Sequence, residues 1–396
     1  MRDYAARLTL VALVGFSAIS TDLYLSGIPG LIADLGVGHA EGQLTLSLFL
    51  VGFAFGQLVF GPLSDYYGRK PVVARGLMLY ALASVGCALA PSIGALLGAR
   101  VLQGFAAAAG PVIARAIVRD RFQGHEAARM MALLATAMAM VPLIAPVVGS
   151  WLLYWFDWRA QFGALILFGL VTLASIRNLE ESCPSIGVGG IALRPVLGQF
   201  RNCLRSPAFV GFVLCGGAAF AGSFAYISSA SFIVIELLGV APQHFGYTFM
   251  LAVGGYMSGS YLSSRLVIRV GIVRMLRAGV IASVLGSGLL LGIAIAEVNS
   301  LGAVIAAVFC CFLGSGMCLS NSQMGAISEY PMAAGGASAV FGFLQTAMAS
   351  LSGFIVGQAY NGTLMPTALA MSGGALLSVA GYALLVRAQR LHVTAN

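Results

Sequence analysis

Two ionisable residues interrupt long apolar stretches of this 396-residue chain, and both are types that can hold or balance a proton. Asp22 lies in Ser20-Thr21-Asp22-Leu23-Tyr24-Leu25-Ser26-Gly27-Ile28-Pro29, and Arg100 in Leu97-Gly98-Ala99-Arg100-Val101-Leu102-Gln103-Gly104. A carboxylate inside a hydrocarbon layer is costly unless it is protonated, paired or beside water, which makes Asp22 a functional candidate. Counted from the outer ends of their spans at about 1.5 Å per residue, Asp22 and Arg100 fall at similar depth. The expected chemistry is a proton acceptor at Asp22 with Arg100 as its partner, so that protonation and cargo binding compete. The competing readings are a fixed structural pair, or an Asp22 that caps a broken helix.

The elements that must position these residues follow from composition. Hydrophobic residues make up 59% of the chain and charged residues 9%, and the mean hydropathy is +0.94. A water-soluble architecture is excluded, and the apolar runs are continuous where barrel strands would alternate, so the expected class is an all-α membrane protein. At about 20 residues per span the chain accommodates twelve transmembrane helices. The first is expected at 8–29, the fourth at 94–117, the fifth at 130–153, the eighth at 244–267 and the last at 364–387.

Charge sets the expected orientation. With a cytoplasmic amino terminus, 19 of the 21 Lys and Arg residues fall on the inside, Arg159 outside and Arg100 within a span. That asymmetry predicts a multi-pass protein of a bacterial-type inner (plasma) membrane with both termini cytoplasmic. The longest hydrophilic interval predicts a six-helix bundle over 1–177, a cytoplasmic linker over 178–206 and a second six-helix bundle over 207–396. A faint repeat agrees: Gly68, Arg69, Lys70 and Gly76 are echoed by Gly271, Arg274, Arg277 and Gly279. Related halves with a cargo site between them are what a secondary transporter requires.

The net charge of +8 is spread over many short loops, which gives an orientation signal and no nucleic-acid patch. Seven cysteines without a CxxC, and His39, His125, His244 and His392 in loops or at span ends, give no metal site. No phosphate-binding loop is present, so ATP is not the expected driver; no cofactor and no enzymatic activity are expected, and the proton gradient is the expected driving force.

A dense hairpin, Gly61-Pro62-Leu63-Ser64-Asp65-Tyr66-Tyr67-Gly68-Arg69-Lys70, separates the second and third spans. Its glycines, Gly61 and Gly68, are expected to supply close approach or positive φ. Asp65 is expected to meet the amide groups that begin the eleventh span near Gly335, with Arg69 paired nearby, closing the cytoplasmic side. In the fifth span Pro142, Pro146 and Gly149 predict a bend that gates the pathway. Tyr24, Gln57, Phe224, Tyr226, Asn321 and Gln345 are the expected cargo contacts, with ordinary helix packing as the competing reading for each.

The hairpin resembles the Gly-x-x-x-Asp-x-x-Gly-Arg-Arg/Lys loop of the major facilitator superfamily. The Asp22 segment resembles the Thr/Ile-Asp-Met-Tyr-Leu-Pro element of its drug/proton antiporters, and the Arg100 segment their Arg-x-x-Gln-Gly element. Val141 to Ser150 is similar to their Gly-Pro-x-x-Gly-Gly element, with Ala145 before the proline and Ser150 in place of the last glycine. Together with Gly104 to Ala109, Trp158-Arg159-Ala160-Gln161-Phe162 and Ile235 to Val240, the pattern resembles the Bcr/CflA (bicyclomycin/chloramphenicol resistance) group over nearly the whole chain. The resemblance implies two six-helix bundles, working as a monomer in the lipid bilayer. It also implies proton-coupled efflux of small drug-like molecules by alternating access. An exporter of an endogenous metabolite or amino acid would use the same scaffold. A non-transporting membrane sensor or assembly partner would leave Asp22 and Arg100 replaceable.

Overall fold

Apolar runs broken by Gly, Pro and short polar turns fold as helices, because only hydrogen bonding within each segment satisfies the backbone in lipid. A computed structural model describes residues 2–183, 186, 187 and 193–395. Residues 184, 185 and 188–192, part of the expected linker, lie outside the described residues. Among the described residues every regular element is helical.

Two compact units divide the chain, Met1–Leu193 and Arg194–Asn396. The first contains α1 (Arg2–Val14), α2 (Phe16–Asp22), α3 (Ile28–Leu35), α4 (His39–Tyr67), α5 (Arg69–Ala88), α6 (Ile93–Ala107), α7 (Ala109–Arg121), α8 (Gly124–Trp155) and α9 (Trp158–Ser175). The second contains α10 (Leu193–Arg205), α11 (Pro207–Phe212), α12 (Ala218–Ser231), α13 (Pro242–Val270), α14 (Ile272–Ile295), α15 (Leu301–Ser328), α16 (Ala334–Ala359) and α17 (Met365–Ala395).

Among the described residues ten helices are long and apolar enough to cross a membrane, and a bent pair, Tyr4–Val14 with Phe16–Leu35, makes an eleventh. The expected eighth span, 244–267, is α13, which has 29 residues but falls short of the same apolarity. Tyr247, Tyr256, Tyr261, four serines and Arg265 lie along it, so its length and not its composition carries the expectation of a twelfth span.

The first span is not one straight helix. Its two parts bend by 47°, and beyond α2 a single 3₁₀ turn at Leu25–Gly27 leads into α3. Pro29 sits in the first turn of α3, where its missing N–H costs nothing. Asp22 is therefore the last residue of a short helix, immediately before a break.

Close helix approach holds α4 against α6. A Cβ at Gly104 would overlap the Phe49 carbonyl, so only glycine permits the contact that brings Arg100 onto α4. In the second unit, π-helical turns at Val213–Gly217 and Phe232–Leu237 flank α12, and Phe209, Phe212, Leu276, Cys318 and Phe341 form part of its buried core.

Candidate proton and gating sites

Arg100 is fully buried on α6. Its Nε donates to the Thr45 carbonyl at 3.2 Å, and its Nη1 donates to the Ser20 carbonyl at 3.2 Å and to Gln103 Oε1 at 2.5 Å. Gln103 is itself held by donating to Ser84 Oγ at 2.8 Å. Three rings enclose the guanidinium: Tyr24 at 4.4 Å, Phe49 at 4.5 Å and Phe162 at 5.7 Å. Each such contact stabilises a desolvated cation by up to about 2 kcal/mol. Tyr24 Oη is fixed by Thr45 Oγ1, so this expected cargo residue is part of the cage around Arg100. Nη2 has no hydrogen-bond partner among the described residues.

Asp22 is 5% exposed, and its Oδ1 accepts from Thr21 Oγ1 at 2.9 Å. Among the described residues no ion pair joins it to Arg100, which corrects the expectation that the two pair. The reason is local. Arg100 finds the exposed carbonyls of the first and second spans, while Asp22 turns to its neighbour at the end of α2. Asp22 and Arg100 thus lie within one unit, each buried, and among the described residues neither forms an ion pair.

The hairpin carries a network of its own. Gly68 adopts φ +94°, which ends α4 and starts α5 in a conformation that favours glycine. Gly61 lies inside α4 with open space around it, contrary to the expectation of close approach or positive φ there. Arg69 is buried and pairs with Asp65 at 2.5 Å and Asp120 at 2.9 Å, while its Nη1 donates to Ser64 Oγ at 2.7 Å. Lys70 Nζ donates to the Leu179 carbonyl at 2.7 Å.

Glu181 caps the start of α5. Its carboxylate accepts from the amides of Arg69 (2.8 Å), Lys70 (3.0 Å), Ser182 (2.9 Å) and Cys183 (2.9 Å). Burial pushes this carboxyl up, but the four amides outweigh it and hold the group below the usual glutamate value of 4.5. Sequence reasoning missed Asp120 and Glu181. The only signal for them was an acid among the basic residues ending the fourth span and a pair of acids after the sixth.

Pro142 and Pro146 lie within α8, which continues unbroken from Gly124 to Trp155. A Cβ at Gly149 would overlap the Leu23 carbonyl, so the fifth span touches the break of the first at the residue after Asp22. Of the other expected cargo contacts, Asn321 donates to Ser263 Oγ at 2.6 Å and to the Met317 carbonyl at 2.7 Å, clasping α15 to α13. Phe224 is buried beside Phe220, with centroids 6.5 Å apart. Tyr226 meets Phe312 edge-on at 6.0 Å, and its buried hydroxyl has no hydrogen-bond partner. Gln57 and Gln345 are partly buried on α4 and α16.

Among the described residues the scaffold is all-helical with ten to eleven spans long and apolar enough to cross a membrane, and it carries a buried carboxylate, a caged arginine and a charged hairpin: the class is a polytopic membrane protein. The chain belongs to the Major Facilitator Superfamily, which its sequence matches over residues 10–357. It is 34% identical over 359 residues to the uncharacterized MFS-type transporter YdgK of Bacillus subtilis, covering 89% of each chain. It is 28% identical over 383 residues to the bicyclomycin resistance protein homolog of Haemophilus influenzae, covering 95% of this chain and 94% of that one. The crystal structure of a POT family transporter in complex with 5-aminolevulinic acid superposes with a TM-score of 0.78 at 10% identity, covering 96% of this chain and 95% of that one. That last likeness is one of fold.

Proposed function

We propose that this chain is a proton-coupled efflux antiporter of the inner membrane, exporting bicyclomycin- or chloramphenicol-like molecules by alternating access. The observation that carries the reading is the separation of Asp22 from Arg100 inside one unit. A carboxylate buried without a cation is neutral when it carries a proton, and a guanidinium buried without an anion is ready to receive charge or a strong dipole. Proton loss from Asp22 creates that negative charge two residues from Ser20, whose carbonyl Arg100 already holds. Cargo that competes for the same polar groups then exchanges for the proton, which is the requirement for antiport.

The proposed cargo class is supported by the relative named for bicyclomycin resistance and by the antiporter-like elements of the first, fourth and fifth spans. Tyr24, Gln57, Phe224, Tyr226, Asn321 and Gln345 offer rings and dispersed hydrogen bonds to a moderately polar molecule. Tyr226 is the favoured contact among them, because its hydroxyl is buried and unpartnered. Charge asymmetry supports cytoplasmic termini, and a monomer is the proposed working state.

The test is accumulation of radiolabelled bicyclomycin or chloramphenicol in cells stripped of their own exporters. Cells with the native chain accumulate less than cells with Asp22→Asn, and an uncoupler removes the difference. Equal accumulation with every compound contradicts the reading.

A further inference from the structure

Gln161 is fully buried at the end of the first turn of α9, and it bonds to two other elements of the first unit. Its Nε2 donates to Ser26 Oγ at 3.0 Å and to the Gly149 carbonyl at 2.9 Å. A carbonyl only accepts, so the amide nitrogen must face Gly149 and the orientation of the side chain is fixed. The two partners lie on different elements: Ser26 in the 3₁₀ turn that breaks the first span, Gly149 in the proline-bearing fifth. Gln161 Oε1 is buried against Gly27, where any Cβ would overlap it, and has no hydrogen-bond partner among the described residues.

The junction sits beside Asp22. Leu23, the next residue, has its carbonyl against Gly149, and Phe162, the residue after Gln161, covers both Tyr24 at 5.4 Å and Arg100 at 5.7 Å. A second tie closes the same corner, where Asp34 of α3 accepts from Trp158 Nε1 at 3.2 Å and pairs with Arg159 at 2.5 Å. Resting on the assignment of Asp22 as the proton site, we infer that Gln161 is a positioning residue for coupling. Its amide pins the break of the first span to the fifth span, so that a change at Asp22 moves both together. The unpartnered Oε1 is then an acceptor held for the other conformer, in which the turn at Gly27 has shifted.

All three tryptophans, Trp151, Trp155 and Trp158, lie at the end of α8 and the start of α9, so intrinsic fluorescence reports on this corner without a label. The other charged or titratable groups on the elements packed around it include Tyr154 on α8, in ring contact with Trp151 and Trp155, with His125, Glu126 and Arg129 at the start of that helix; Arg7, Tyr24 and Asp34 of the first span; Arg69, Lys70, Arg75, Tyr80 and Cys87 on α5; Arg100 on α6; and Arg115, Arg119, Asp120 and Arg121 on α7. Asp157 and Arg159 flank the corner, and His39 and Glu41 begin α4. Asp22→Asn leaves all of them in place, so the difference between native and Asp22→Asn titrations isolates Asp22.

The experiment is a fluorescence pH titration of the full-length protein in lipid nanodiscs, with transport measured in parallel. Native protein is expected to show a transition that Asp22→Asn lacks. If it does not, the assignment of Asp22 fails before Gln161 is tested. Gln161→Met matches the volume of glutamine and removes its donors. It is expected to lose the transition and to lower kcat for transport with KM unchanged, and Ser26→Ala is expected to lose the transition too. A native-size transition in Gln161→Met overturns the inference with the Asp22 assignment intact. Should Gln161→Met fail to accumulate, Ser26→Ala decides by the same two outcomes.

Discussion

Arg100 is held by carbonyls and rings where a carboxylate would be the simpler counter-charge, and this choice shapes what its replacement does. Lysine keeps the charge but loses the planar fork that reaches Thr45, Ser20 and Gln103 and the face that stacks on Tyr24 and Phe49. Arg100→Lys is expected to destabilise the protein by about 1–3 kcal/mol, seen as a lower thermal midpoint in detergent, and to abolish transport. Native transport by that variant would contradict the role given to the cage. Both buried charges were legible in the sequence because an ionisable group in an apolar run is conspicuous. Their partners were not. The Ser20 and Thr45 carbonyls lie 80 and 55 residues from Arg100 in the chain, and every residue has a carbonyl, so no residue type announces them.

At the scale of elements, the fifth span and the α5 cap make separate predictions. Gly149→Val drives a side chain into the Leu23 carbonyl, and either α8 or the break of the first span must give way. A cost of about 1–3 kcal/mol is expected, with transport lost, as measured by thermal melting and vesicle uptake. Glu181→Gln removes a charge from the amides that begin α5, worth about 0.3–1 kcal/mol at a partly exposed helix start. The carboxyl is held below 4.5 in the folded protein, so its contribution is fully present above that value and is lost as pH falls through the lower folded one. The melting difference between native and Glu181→Gln is therefore expected at pH 7 and absent in strong acid; a difference that grew on acidification would reverse the sign. Helix existence was legible from continuous apolar runs. The 47° bend was not, since Gly15, Gly27 and Pro29 mark possible breaks without saying which one opens. Nor was the continuity of α8 through two prolines, which depends on what packs around each freed carbonyl.

For the whole molecule, the sequence carried the all-helical class and the superfamily, because a hairpin as dense as Gly61 to Lys70 between two spans is rare by chance. The count of spans was less legible: α13 has the length of a span with too many polar residues to be apolar, and a helix shielded by its neighbours in a bundle tolerates such residues. Within the hairpin Arg69 bridges Asp65, which is mostly exposed, and the more buried Asp120, so Asp65 is the partner that can exchange while Arg69 stays tied to Asp120. Asp65→Asn should then express and melt normally but fail to transport; full activity would remove the hairpin from the gating account. Coupling itself is tested most directly by proton release from purified, detergent-solubilised protein on adding bicyclomycin- and chloramphenicol-like compounds. The account predicts release from the native chain and none from Asp22→Asn. A compound that binds the native protein without releasing a proton would contradict it.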